Sequence, residues 1–96
     1  MKMEEAKENF SFGEAIRLLK RGHKVSRRGW NGKGQFIYYV SPGNYKPCTD
    51  AARTIVNEDG NVPYRDYIAI YTVQGTVVPW VASQTDILAE DWYIVA

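Results

Sequence analysis

The residues best suited to chemistry in this 96-residue chain are cations interleaved with aromatic rings. Arg28, Trp30 and Asn31 occupy one short stretch, and Trp80 lies further along. An arginine can form paired hydrogen bonds with a phosphate, and an indole can stack on a nucleobase. The Asn31 amide can bind a base edge or a ribose. These residue types predict a nucleotide site. The alternative is that Trp30 is buried in a subunit contact, Asn31 only makes a turn, and the cations form a solvated face.

A second group of candidate residues follows Trp80 in the run Ser83-Gln84-Thr85-Asp86. Its amide, hydroxyl and carboxylate groups are suited to binding the hydroxyls of a ribose. The same Ser-x-x-Asp spacing is also typical of a capping box at a helix N-terminus. Asp86 is therefore explained either as a ligand-binding carboxylate or as a capping residue.

Side chains for catalysis or metal binding are scarce. His23 and Cys48 are each the only residue of their type, which excludes an intramolecular disulfide and argues against a His/Cys zinc site. A lone cysteine is typical of proteins in a reducing cytoplasm. No phosphate-binding loop or nucleophile elbow is present. We predict no enzymatic activity, no metal and no cofactor.

The charge is near zero overall but unevenly distributed. The net charge is +1 and the sequence pI is about 7.8. Residues 15–49 carry eight lysines and arginines and no acid, whereas residues 50–96 carry two arginines against seven acids. Proteins that follow a long nucleic acid usually have a pI above about 9. The balance favours a small nucleotide in a pocket over a long nucleic acid. No apolar run approaches the ~20 residues that span a bilayer, so we expect no membrane association.

The pattern of elements predicts an α+β fold. Ser11 and Glu14 form a capping box that begins a helix over about 12–21, which Gly22 ends. Residues 41–48 are predicted as a loop. We expect an antiparallel five-stranded sheet built from hairpins, with two or three short helices. The predicted strands are 24–30, 35–40, 66–73, 76–81 and 92–95, and the further helical segments are 50–56 and a turn from 83 through 89.

The sequence also predicts the domain boundaries and the direction in which strand side chains face. Residues 1–9 are predicted as a disordered tail and residues 10–96 as a single ligand-binding domain. If Val25 points into the core, Lys24, Ser26, Arg28 and Trp30 share the opposite face of their strand. Two other predicted strands, 36–40 and 67–71, are apolar or aromatic on both faces. Three short helices cannot cover both faces of the sheet, so we predict a homo-oligomer.

Five blocks of the sequence resemble a small domain of phages and prophages, the second type of anti-Thoeris protein. The resemblance spans residues 10–95, and the blocks keep the order and spacing of that family. They are Phe12-Gly13-Glu14-Ala15, Arg28-Gly29-Trp30-Asn31-Gly32-Lys33-Gly34, Val62-Pro63-Tyr64-Arg65, Val78-Pro79-Trp80-Val81-Ala82-Ser83-Gln84-Thr85-Asp86 and Ala89-Glu90-Asp91-Trp92.

The resemblance implies a function that the residues alone do not specify. Proteins of that family form homotetramers and sequester glycocyclic ADP-ribose without hydrolysing it. A bacterial TIR-domain enzyme makes this messenger on infection, so the expected location is the host bacterial cytoplasm. Some members also hold cyclic di- or trinucleotides in separate pockets. By position, the pocket motifs of the family fall on Trp30, Asn31, Trp80 and the run from Ser83 to Asp86.

Three other classes of function remain open from the sequence. One is an enzyme that degrades a cyclic nucleotide, which the scarcity of catalytic side chains disfavours. Another is a module that binds single-stranded nucleic acid, whose binding would depend on salt. The last is an oligomeric module that binds another phage or host protein through a flat aromatic sheet face.

Overall fold

The structure is a computed structural model that describes residues 7–96. Within that part of the chain it contains antiparallel strands and three short helices, as the α+β prediction requires. The elements in chain order are β1 (Glu8–Phe10), α1 (Phe12–Lys20), β2 (Lys24–Arg27), β3 (Phe36–Val40), β4 (Gly43–Tyr45), α2 (Asp50–Arg53), β5 (Val62–Tyr64), β6 (Tyr67–Tyr71), β7 (Val77–Pro79), α3 (Gln84–Leu88) and β8 (Trp92–Val95).

The main sheet has six strands in the order β1-β8-β2-β3-β6-β7, so the predicted number of five was wrong. All five predicted strand regions contribute to it, and the extra strand is β1. Glu8 and Asn9, which were predicted to belong to a tail, form β1 with Phe10. Glu8 pairs with Tyr93 and Phe10 pairs with Trp92. Residues 8–9 are polar and have no strand pattern of their own. They form a strand because the edge of β8 is available for pairing and because Phe10 is buried. Of the rest of the predicted tail, Lys7 accepts a backbone hydrogen bond from Ile94, and residues 1–6 lie outside the described residues.

Helix α1 begins where the sequence predicted. The Oγ atom of Ser11 accepts a hydrogen bond from the backbone N–H of Glu14 at 3.2 Å. Arg21 is the C-cap residue, and Gly22 follows with φ of 95°, a conformation that favours glycine. The buried face of the helix, which includes Leu18 and Leu19, packs against one face of the main sheet. That packing buries Val25, Ile37 and Trp92 completely.

The strand register shows which side chains lie on each face of the main sheet. Val25 pairs with Ile37 and Ile37 pairs with Ile70, and these residues belong to or pack against the buried core beneath α1. The neighbouring positions face the other way, because side chains alternate along a strand. We call this second side the open face; it carries Lys24, Phe36, Tyr38, Tyr71 and Val77.

Strand β2 ends at Arg27, three residues before the predicted end. The predicted shared face of Lys24, Ser26, Arg28 and Trp30 is therefore wrong. The chain turns after Arg27, where the backbone N–H of Trp30 donates to the carbonyl of Arg27 at 3.2 Å. This turn directs the Trp30 ring to the core side, against Trp92.

Residues 41–65, which we call the arm, contain a second, two-stranded sheet. The predicted loop contains β4, which pairs with β5 in a sheet of its own and with no strand of the main sheet. Helix α2 ends at Arg53, three residues before the predicted end. The molecule measures 52 × 35 × 24 Å and has a radius of gyration of 16.4 Å. A compact chain of this length would have a radius of about 12.5 Å. Among residues 7–96, no helix has the length and apolar character needed to cross a membrane.

Candidate ligand site

Three tryptophans and Phe12 form an aromatic cluster beside helix α1. Trp92 is fully buried at its centre. The Trp30 ring meets it edge-on at 5.4 Å between centroids, and the Trp80 ring does so at 6.2 Å. Trp30 and Trp80 lie 6.2 Å from each other and are only partly buried. The structure therefore brings two of the predicted stacking residues together and leaves part of each indole accessible.

The Asp86 carboxylate binds polar groups at one side of this aromatic cluster. Its Oδ1 atom accepts hydrogen bonds from Arg27 Nη1 at 2.8 Å and from Trp30 Nε1 at 3.0 Å. Its Oδ2 atom accepts from the backbone N–H of Ser83 at 3.2 Å, and the Ser83 Oγ accepts from the backbone N–H of Asp86 at 3.1 Å. The predicted capping box is thus present, and the same carboxylate also fixes the Trp30 indole. A further tryptophan, Trp92, donates from Nε1 to the Asp86 carbonyl.

These hydrogen-bond donors favour the ionised form of the Asp86 carboxyl. Burial by itself raises the pKa of the Asp86 carboxyl, because a charge is poorly solvated there. The hydrogen bonds from Trp30, Arg27 and Ser83 outweigh burial and lower that pKa below its ordinary value. Only 12% of the Asp86 side chain is exposed. Its oxygens are engaged by protein donors, which leaves little capacity for binding a ribose hydroxyl directly.

Asp91 and Arg27 hold the turn that carries Trp30. Arg27 Nε donates to Asp91 Oδ1 at 2.8 Å, and the backbone N–H of Gly29 donates to Asp91 Oδ2 at 2.8 Å. The hydrogen bond from Arg27 lowers the pKa of the Asp91 carboxyl. A Cβ atom on Gly29 would lie 2.9 Å from Asp91 Oδ2, so a side chain at this position would disturb the contact. Arg27 therefore bridges two carboxylates: Asp86, which binds the Trp30 indole, and Asp91, which binds the turn at Gly29.

Neither Arg27 nor Asp91 was predicted as a site residue. A signal was available for Arg27: position 27 follows Val25 by two, so its side chain belongs to the core side of β2, where a cation requires a partner. The partner could not be identified, because Asp86 and Asp91 are 59 and 64 residues away.

Arg28 lies apart from the aromatic cluster. Its guanidinium carbon is 4.2 Å from the ring centroid of Tyr93, and its Nη2 atom is 3.0 Å from Glu8 Oε1. Both members of this ion pair are more than half exposed, so the pair contributes little stability. The structure places the predicted phosphate-binding arginine on the β1 side of the sheet.

The other predicted residues either follow Trp30 in the chain or belong to α3, the helix whose Asp86 holds the Trp30 indole. Asn31 follows Trp30 directly and is exposed. Gln84 and Thr85 form the exposed first turn of α3, after Ser83. The candidate site therefore combines two partly buried indoles with exposed amide and hydroxyl groups directly after Trp30 and in the first turn of α3. Across the described chain, no group of three or more His, Cys, Asp or Glu residues is arranged to hold a metal.

Comparison with known proteins assigns the chain to a family. The Thoeris anti-defense 2-like domain family matches residues 10–95. A protein of Bacillus phage SP01, Thoeris anti-defense 2, is 40% identical over 90 residues, which cover 94% of this chain and 99% of that protein. The family match includes every residue of the candidate site. The chain therefore belongs to the Thoeris anti-defense 2-like family.

Proposed function

We propose that this protein is a non-catalytic sponge, which binds glycocyclic ADP-ribose inside the infected host cell and keeps it from its receptor. The observation that carries the proposal is the pair of partly buried indoles, Trp30 and Trp80, 6.2 Å apart beside exposed amide and hydroxyl groups. The family and the phage relative, both named for activity against Thoeris defence, support it.

The roles of the site residues follow from their contacts. Trp30 and Trp80 are partly exposed aromatic side chains, and we assign them the stacking of the adenine of the messenger. Asn31, Gln84 and Thr85 supply exposed donors and acceptors for ribose hydroxyls. We assign Asp86 and Ser83 a positioning role, because their polar atoms hold the Trp30 indole and the start of α3. Arg28 would bind a phosphate only by leaving Glu8 and Tyr93.

A sponge needs affinity, and the site of one chain does not supply all of it. A nanomolar dissociation constant corresponds to about −12 kcal/mol. Stacking contributes about 1–3 kcal/mol per base, so the two indoles leave most of this free energy to phosphate contacts and to enclosure of the ligand. A second subunit over the exposed rim would provide that enclosure. The proposal therefore includes a homo-oligomer, with a tetramer as the expected form.

The proposal is tested by recovery of the ligand. The protein is incubated with glycocyclic ADP-ribose, free ligand is removed, the protein is denatured by heat, and the released material is identified by mass spectrometry. Recovery of intact messenger in stoichiometric amount is the expected result. Release of a linear or cleaved product would show an enzyme instead, and no depletion of messenger would refute both.

The same assay separates the other ligands. Cyclic di- and trinucleotides are added singly and then in competition with glycocyclic ADP-ribose. If they occupy separate pockets, they are retained together with the messenger. If they share the candidate site, they displace it, and the Trp30→Ala variant loses both. Retention of single-stranded oligonucleotides at moderate salt, without retention of any cyclic nucleotide, would favour the nucleic-acid module.

A further inference from the structure

A cavity of about 220 Å³ lies between the C-terminal half of α1 and strands β3 and β6. Its apolar lining comes from Ile16 and Leu19, which are three residues apart and share one face of the helix, and from Ile68. Leu19 is almost fully buried, whereas Ile16 and Ile68 are partly buried. None of the residues that line this cavity belongs to the candidate ligand site. The cavity is therefore a separate feature of the fold.

The rim of the cavity carries charges of both signs. Lys20 is the last residue of α1, and Asp66 directly precedes β6; both are exposed. The hydroxyl of Tyr39 donates to Asp66 Oδ2 at 2.6 Å. A carboxylate has about four acceptor positions, so this one hydrogen bond leaves Asp66 able to accept others from a ligand.

The two rim charges are near each other but are not paired. The hydrogen bond from Tyr39 lowers the pKa of the Asp66 carboxyl against the opposing effect of burial, and the positive charges of Arg65 and Lys20 lower it further. Asp66 is therefore ionised at neutral pH. Among residues 7–96, no carboxylate forms an ion pair with Lys20. The cavity thus presents a separated anion and cation above an apolar floor.

We propose that this cavity binds a free α-amino acid that has an apolar side chain. The ammonium of the ligand donates to Asp66, the carboxylate of the ligand accepts from Lys20, and its side chain lies against Ile16 and Ile68. Hydrogen bonds between charged groups are stronger than those between neutral groups. A ligand that carries only one charge leaves one of the two rim residues without a partner, so the pair selects a zwitterion.

The volume of the cavity supports a ligand of this size. Sites for drug-sized ligands usually enclose about 300–1,000 Å³, which is more than the cavity offers. A messenger with two ribose rings and two phosphates is too large for it, whereas a single amino acid fits. The proposed amino-acid site therefore goes beyond the proposed function, because it uses neither the messenger nor the residues that bind it.

Analogues of one amino acid test the two charges separately. L-Phenylalanine is compared with 3-phenylpropionate, which lacks the ammonium, and with phenethylamine, which lacks the carboxylate. Each is titrated into the full chain, and binding is followed by NMR chemical shifts and by Tm. We expect L-phenylalanine to bind with a dissociation constant on the order of 0.1–1 mM. At ten times that concentration it should raise Tm by about 5–10 °C. Each analogue should bind about tenfold more weakly or worse.

Charge-neutralising variants assign each contact. Asp66→Asn should remove the preference for L-phenylalanine over 3-phenylpropionate, and Lys20→Gln should remove the preference over phenethylamine. Glu90→Gln and Lys33→Gln neutralise exposed charges outside the cavity and should change neither preference. Because all four side chains are exposed, circular dichroism should show the same secondary structure for every variant. If both preferences survive in Asp66→Asn and in Lys20→Gln, the assignment is wrong.

The Trp30→Ala variant separates this proposal from the sponge. It should bind L-phenylalanine within twofold of the parent, and added glycocyclic ADP-ribose should not displace the amino acid. The proposal is overturned if L-phenylalanine gives no saturable shift up to about 10 mM, or if its shifts vanish in Trp30→Ala. Either result leaves the sponge standing. Failure to capture the messenger while L-phenylalanine still binds would refute the sponge alone.

Discussion

Replacing Asp86 by asparagine separates a positioning residue from a ligand-binding residue. The substitution keeps the size of the side chain and removes its charge, so Arg27 and the Trp30 indole lose a charged acceptor. A hydrogen bond to a charged group contributes about 1.5–3 kcal/mol. Arg27 retains Asp91, at 2.8 Å, and is therefore not left without a counterion. We expect a net loss of about 2–3 kcal/mol from the free energy of unfolding.

That loss is measurable in a domain of this size. One kcal/mol lowers Tm by about 4–8 °C in domains of 60–100 residues, so the variant should melt about 10–20 °C below the parent. Tryptophan fluorescence should change in the folded state, because the Trp30 ring loses its anchor. Affinity for the messenger should fall as a consequence of the displaced indole. The measurements are thermal unfolding, emission spectra and a ligand titration on the same samples.

The matched control is Gln84→Ala, two residues earlier on the exposed surface of α3. Its Tm should stay within a few degrees of the parent value, since substitutions at exposed positions usually change stability by less than about 0.5 kcal/mol. Its affinity for the messenger should nevertheless fall. The reasoning fails if Asp86→Asn leaves Tm and fluorescence unchanged and only the affinity falls. That result would make Asp86 a group that contacts the ligand.

The remaining predictions concern the rings, the turn and acid stability. Trp30→Ala and Trp80→Ala should each weaken messenger binding at least tenfold, measured by calorimetry, with the sheet retained in circular dichroism; collapse of the oligomer with intact affinity per chain would contradict stacking. Gly29→Ala should destabilise by about 1–3 kcal/mol in denaturant unfolding, whereas Gly13→Ala, whose new Cβ would lie 3.7 Å from Ser11 Oγ, should be neutral or stabilising. The pKa of the Asp91 carboxyl is lower in the folded protein than in the unfolded chain, where it is about 3.9. Ionised Asp91 therefore stabilises the fold above that pH, and the stabilisation is lost as the pH falls through the pKa of the folded protein. An Asp91→Asn variant should therefore show a smaller loss of Tm than the parent between pH 5 and 2, and equal losses would contradict the assignment.

Local patterns accounted for the three helices and for five of the six strands of the main sheet. The capping signals at Ser11 and Ser83 each lie within four residues. The capping box at Ser83 forms completely, whereas at Ser11 only the serine cap forms, because the Glu14 carboxylate pairs with Arg17. The apolar character of β3 and β6 on both faces is likewise visible in the sequence. The arm was missed because Pro42, Gly43 and Pro47 are typical of loops, and the short β4–β5 pairing forms between segments about twenty residues apart.

The sequence by itself determined which chemical groups are available: indoles, amides, hydroxyls and few side chains for catalysis. Only the tertiary structure decided how they are held. Antiparallel pairing of β2 with β8 places Arg27 opposite Trp92 and next to Asp91, across 64 residues of chain, and packing of α3 brings Asp86 under Trp30. Hydropathy and capping patterns report neighbours within a few residues, whereas a buried ion pair depends on strand register set by the whole core. For that reason the sequence left Asp86 as either a ligand-binding carboxylate or a capping residue, and its geometry favours a positioning role.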